Sequence, residues 1–265
     1  MQRCRTALSK SRLPGLVYSL NPYFGCQHGC IYCYSPSVFR NEAIARNWGR
    51  SVKAKTNIPE VLAKEVQQLA IGTVGVSTVT DPYQPAESKF NLTKKCLEIL
   101  SKKGFPVSIQ TKSDLILRDV DIIKPNGFEV GITLTTLNND VSQRIEPGAS
   151  KPDSRIQVIE EFHQRGVKTW IFLGPIIPRI NDDDENVTRI LEVARKTESK
   201  VLYDKLNLKA FVLERMITTL QQFEPDLIRT IPKLVETDSD WWRTVSLRIR
   251  AKSTEKSVKT EPAFQ

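Results

Sequence analysis

A chain of 265 residues is long enough for one large α/β domain or two small ones around a sizeable core. Hydrophobic residues make up 40%, no run approaches the roughly 18 apolar residues of a membrane span, and Met1-Gln2-Arg3-Cys4 opens no signal-peptide core, so a cytoplasmic protein with no membrane partner is expected. Five cysteines, odd in number and clustered, argue against a disulfide framework, and the balance of 39 Lys and Arg to 30 Asp and Glu, a net charge of +9, permits a polyanionic partner.

In chain order, a short first strand is expected over Leu16–Leu20, followed at once by a cysteine-rich loop. Asn57 is placed to cap a helix carrying Ile58, Val61, Leu62, Val66 and Leu69 at helical spacing. Ile71–Thr80 reads as a second, buried strand. A helix over Asn91–Lys103 is ended by Gly104, and strands follow at Phe105–Thr111 and Phe128–Thr135. Pro152–Arg165 forms a helix stopped by Gly166, then Val167–Leu173 a fifth strand, Asp183–Lys196 a helix and Lys200–Leu208 a sixth strand. Strands alternating with helices predict parallel pairing with right-handed crossovers, hence a partial (β/α)6 TIM-like barrel over residues 16–210. Residues 1–15 then form an N-terminal extension, and 211–265 a C-terminal helical extension with a basic tail.

In such a barrel the chemistry gathers at the carboxyl ends of the strands. The loops falling there are the cysteine loop, Thr80-Asp81-Pro82-Tyr83-Gln84-Pro85, Thr111-Lys112-Ser113, Thr133–Thr136 and Gly174-Pro175-Ile176-Ile177-Pro178. The first is the most informative. Cys26, Cys30 and Cys33 are soft thiolate donors suited to zinc, copper(I) or an iron–sulfur cluster. Three of them fall one short of a closed site of four ligands, which leaves a position open for chemistry. The alternative is a zinc site with His28 as fourth ligand, in a non-catalytic nucleic-acid-binding protein.

The spacing Cys-x3-Cys-x2-Cys, with Tyr32 before the third cysteine, resembles the hallmark of the radical S-adenosylmethionine (SAM) superfamily. Asn21-Pro22-Tyr23, Tyr34, Thr80–Pro85, Glu146-Pro147-Gly148-Ala149, Pro175–Pro178 and Asn181-Asp182 resemble its spore photoproduct lyase-like branch. The resemblance implies a [4Fe–4S] cluster on Cys26, Cys30 and Cys33, with SAM on the fourth iron. Reductive cleavage of SAM to a 5′-deoxyadenosyl radical would follow, with an electron donor such as a ferredoxin or flavodoxin. Carried over residue by residue, Tyr32 and Tyr34 would flank the adenosine, Thr80 and Lys112 hold polar groups of SAM, and Thr133 reach the ribose. Plain structural readings stand beside these: Thr80 as a turn cap, Lys112 as a solvated loop lysine.

One departure bears on the substrate. The lyases place a hydrogen-donating cysteine on the second strand, where this chain has none. Cys96 lies on a helix among leucines, as a small buried hydrophobe or a radical-transfer residue. The expected substrate is therefore unidentified, with nucleic acid the leading candidate from charge, and a protein side chain or small metabolite the alternative. Much of that charge lies in Arg243, Arg248, Arg250, Lys252, Lys256 and Lys259. Trp241-Trp242 either stacks on bases or anchors a C-terminal helix. Asp182-Asp183-Asp184-Glu185 reads as a helix N-terminus rather than a metal site. Glu146 and Arg155 read equally as an ion pair or as groups approaching SAM.

Overall fold

The computed structural model describes residues 1–39, 41–236 and 239–263. The chain opens with β1 (Leu8–Lys10) and β2 (Tyr18–Leu20), then a small ribbon of β3 (Tyr23–Phe24) and β4 (Lys53–Ala54). Between the ribbon strands lie the cysteine loop and two short helices, α1 (Ser35–Phe39) and α2 (Glu42–Arg46). Next come α3 (Ile58–Glu65), β5 (Val74–Val76), α4 (Pro85–Phe90), α5 (Leu92–Lys102) and β6 (Val107–Thr111). A 3-10 turn over Asp114–Asp119 leads to β7 (Phe128–Thr133), α6 (Asn139–Ile145), α7 (Pro152–Gln164) and β8 (Lys168–Ile176). The chain finishes with α8 (Asp184–Lys196), β9 (Lys200–Lys205), α9 (Val212–Phe223), α10 (Leu227–Leu234), α11 (Asp240–Glu255) and β10 (Thr260–Pro262).

The six expected strands are present and pair in parallel in the order β2-β5-β6-β7-β8-β9, giving the partial barrel. Two edges extend it. Within residues 1–15, β1 pairs antiparallel with β2, and β10 joins β9 in parallel from the far end of the chain. Paired outer strands leave less unsatisfied backbone at the open sides of the sheet. The apolar layer between sheet and helices is built from alternate strand residues such as Val74, Val76, Val107, Ile109, Val130 and Ile132, against Leu62, Leu97, Val158 and Ile190. No described helix is long and apolar enough to cross a membrane.

At three places a single residue accounts for a departure from expectation. The second strand ends early because Ser77 takes φ 60°, a left-handed turn that carries the chain out of the sheet before Thr80. Asn91, at φ 51°, separates α4 from α5. Asn57 does not cap α3. Its side chain instead accepts from the Cys4 backbone N–H at 2.8 Å and donates to the Cys4 carbonyl at 2.9 Å, holding the N-terminal segment on the barrel.

The C-terminal residues dock through the features singled out in the sequence. Asp183 caps α8, accepting from Asn186 N at 2.8 Å. Asp182 accepts from the Trp241 indole at 2.7 Å, and Trp242 lies 6.0 Å from the Tyr203 ring, so the tryptophan pair anchors α11. Asp184 pairs with Arg248 at 3.1 Å and Lys252 at 3.2 Å. Lys256 meets Glu192, Lys259 meets Glu261, Arg243 meets Asp240, and Arg250 donates to the Tyr203 hydroxyl. The basic tail is therefore a docked helix and strand with its cations engaged.

Candidate active site

Two loops clamp the cysteine loop from either side. Gly25, which opens it, has φ +91°, and a side chain there would drive its Cβ to 2.3 Å from the Ser51 carbonyl. Gln84 is fully buried; its carbonyl oxygen accepts from Gln27 N at 2.9 Å, and its amide donates to the Gly25 and Asp81 carbonyls at 3.2 Å each. Asp81 accepts from Tyr83 N, the Thr111 hydroxyl and Lys112 N at 2.7–2.9 Å, and stands 3.3 Å from His28 Nδ1. Burial would raise its pKa, yet His28 and these donors hold it down at about 2. From the opposite side Ile31 N donates to the Ile145 carbonyl and Gly148 N to the His28 carbonyl. The Pro-bounded motif after the second strand thus serves chiefly to shape the loop before it.

All eight residues singled out from the sequence, Cys26, Cys30, Cys33, Tyr32, Tyr34, Thr80, Lys112 and Thr133, line one cavity of about 1320 Å³ inside the barrel. Cys26 and Cys30 are buried and Cys33 half-buried, and all three are free thiols. Burial pushes the Cys30 thiol up to about 12 despite the nearby Lys112. Cys26 is raised as well, by burial and then by Asp81 and the other two cysteines. Such thiols become thiolates only beside a strong cation, and a bound metal deprotonates them outright. Three soft donors on one cavity wall therefore suit an iron–sulfur group with an open corner. His28, the fourth ligand of the zinc alternative, has Nδ1 turned to Asp81, and among the described residues no three His, Cys, Asp or Glu side chains close round one ion position.

The remaining cavity residues differ in how far they are already engaged. The Tyr32 hydroxyl donates to Glu146 and lies 3.2 Å from the Thr135 hydroxyl, leaving its ring to the cavity. Tyr34 is 37% exposed; burial, then Cys33 and Asp204, raise its pKa. Lys112 sits 5.8 Å from the Tyr32 ring centre. Burial alone would lower its pKa, but Cys30, Glu146 and Asp81 carry it above the ordinary lysine value, so it stays a cation. Thr133 accepts from the Gln110 amide at 3.1 Å. The Thr80 hydroxyl is buried with no partner among the described residues, so it does not cap the turn.

Further charged groups surround these residues. Glu146 and Arg155 form a fully buried ion pair at 2.6 Å, and Glu146 adjoins Tyr32. Burial opposes charge on Glu146, but Arg155 and Lys112 hold its pKa below the usual value. Asp204, on the cavity wall, is pushed up to about 6 by burial; an acid within Val201-Leu202-Tyr203-Asp204 was its only signal. Arg215 reaches the Cys33 carbonyl from α9. Cys96 is buried in the main core, away from the cavity, in keeping with a hydrophobic role.

Comparison with known proteins gives the family and the fold. The model of the radical SAM superfamily matches residues 20–191. An uncharacterized protein of Methanocaldococcus jannaschii is 32% identical over 209 residues, spanning 78% of this chain and 77% of its own. A radical SAM Nalpha-GlyT isomerase of Pseudomonas phage M6 is 27% identical over 62% of this chain and 34% of its own. A spore photoproduct lyase variant, solved with bound AdoMet and dinucleoside spore photoproduct, superposes with a TM-score of 0.74 over 99% of this chain and 81% of its own, at 13% identity. With a hallmark cysteine loop at the carboxyl end of the first barrel strand and a family match over most of its length, the chain belongs to the radical SAM superfamily and is an enzyme of the [4Fe–4S] cluster and SAM.

Proposed function

We propose that Cys26, Cys30 and Cys33 hold the cluster, that Tyr32, Tyr34, Thr80, Lys112 and Thr133 form the seat for SAM, and that the substrate is a nucleic acid. The observation that carries the first two parts is the sharing of one cavity by three unpaired thiols, a charged Lys112 and an unpartnered Thr80 hydroxyl. When bound, the cluster supplies the electron that cleaves SAM and so starts hydrogen abstraction. The chain's own residues bind, orient and exclude water. Lys112 offers a point charge to a carboxylate. The Thr80 hydroxyl gains a partner for a buried polar atom, worth about 1–3 kcal/mol against leaving it unmet. The two tyrosine rings offer flat apolar surface to a purine.

The substrate assignment draws support from the size of the cavity, which extends through the barrel beyond the cysteine end. It draws support also from the dinucleoside carried by the structurally similar lyase. The test is label transfer. With the anaerobically reconstituted enzyme, SAM and reductant, fully deuterated DNA or RNA should place deuterium in 5′-deoxyadenosine, and rising salt should weaken the effect. SAM cleavage that proceeds without label from either polymer would overturn the nucleic-acid assignment and favour a protein side chain or small metabolite.

A further inference from the structure

Arg215 lies on α9, outside the segment that the family model matches. Val212, Met216 and Leu220 of that helix are buried in the apolar cluster that also contains Cys30, Ile31, Tyr32 and Ile145. Three residues after Val212, Arg215 leaves the edge of this buried face toward the cysteine loop. One terminal nitrogen donates to the Cys33 carbonyl. Its Nε and its other terminal nitrogen are buried with no partner among the described residues. A guanidinium has five N–H donors and costs far more than a neutral group when they are left dry. Burial draws its pKa down, and Cys33, Cys30 and then Glu214 are the groups that oppose this. The unmet donors thus belong to a cation held against Cys33, in a place where an anionic group would satisfy them.

We infer that Arg215 is a positioning residue that tunes the cluster, its guanidinium raising the reduction potential by stabilising the reduced, more negative state. The inference rests on the cysteine assignment above. One-electron reduction adds one negative charge to the cluster and its thiolates, and no bond forms or breaks. A fixed cation in a poorly screened site favours the product of that step, and charge and hydrogen bonds at the sulfurs are what set such potentials. A mere brace for the loop would hold Cys33 in place without this effect.

Iron and sulfide content and an electron-resonance redox titration with dithionite, without substrate, separate the two. Arg215→Gln should keep its iron and shift the reduction equilibrium about tenfold toward the oxidised form at fixed poise, which is 59 mV for a one-electron couple. Arg215→Lys should recover part of that shift. A change of less than about twofold in an iron-loaded Gln variant would overturn the inference. So would loss of iron in Gln together with full iron and an unshifted equilibrium in Lys, or loss of iron from both, since either pattern marks a brace. Failure of the cysteine assignment looks different: Cys30→Ala would then keep its iron, whatever Arg215 does.

Discussion

Arg155→Met is expected to destabilise the protein by roughly 3–5 kcal/mol, because it leaves the Glu146 carboxylate buried without its partner. The pair is fully enclosed, and Arg155 also donates to the Ser150 carbonyl at 2.7 Å and the Thr133 carbonyl at 3.1 Å. These contacts tie the end of β7 to the turn after α6, so the loss reaches both the SAM seat and the clamp on the cysteine loop. Typical domains are stable by only about 5–15 kcal/mol, so a large share of the total is at stake. Denaturant unfolding at neutral pH measures it. Arg155→Lys should fall between, since the charge survives but the fork geometry does not. Combining Arg155→Met with Glu146→Gln should cost less than the sum of the two single changes. A loss below about 1 kcal/mol in Arg155→Met would show that the pair contributes little.

Gly148→Ala should impair cluster uptake far out of proportion to the one carbon added. A Cβ there would lie 2.3 Å from the Gln27 carbonyl oxygen and 2.9 Å from His28 Cα, both backbone atoms that cannot turn aside. The cysteine loop must move, and the hydrogen bond from Gly148 N to the His28 carbonyl must stretch or break. Overpacking of this kind costs about 1–3 kcal/mol. Because it acts on the loop and leaves the sheet intact, the iron content after reconstitution should drop several-fold while the cooperative unfolding transition persists. Gly127→Ala, where an added Cβ meets nothing within 4 Å, is the matched control and should load normally. Equal iron in both variants would mean that the loop tolerates displacement.

Much of the barrel was legible because its strands are β-branched runs alternating with amphipathic helices, a pattern that favours parallel pairing. The edges were not. Leu8–Lys10 and Thr260–Pro262 are three-residue strands without alternation, and only pairing with β2 and β9 makes them strands. Asn57 misled because the rule for caps is local, whereas its actual partner, Cys4, lies 53 residues away. The docking of the basic tail was hidden for a similar reason: its cations find Asp184 and Glu192 only once α11 has packed. In the site, the cysteines and the polar strand ends declared themselves by spacing and by the barrel rule. Gln84 was visible within its motif, but its grip on Gln27 and Gly25 needs the fold. Arg215 carries only a faint mark, an arginine at the rim of the stripe Val212, Met216, Leu220, and nothing in the spacing ties it to Cys33 182 residues earlier.

The central claim is that three thiols hold a cluster with one iron left for SAM. Anaerobic iron–sulfur reconstitution of the wild-type chain and of Cys26→Ala, Cys30→Ala and Cys33→Ala, followed by assay of reductive SAM cleavage, tests it most directly. The wild type should bind about four irons and four sulfides per chain and release methionine from SAM, while each variant should lose both properties. Stoichiometric zinc without iron in the wild type, or a cysteine variant that keeps its iron and its cleavage of SAM, would contradict it.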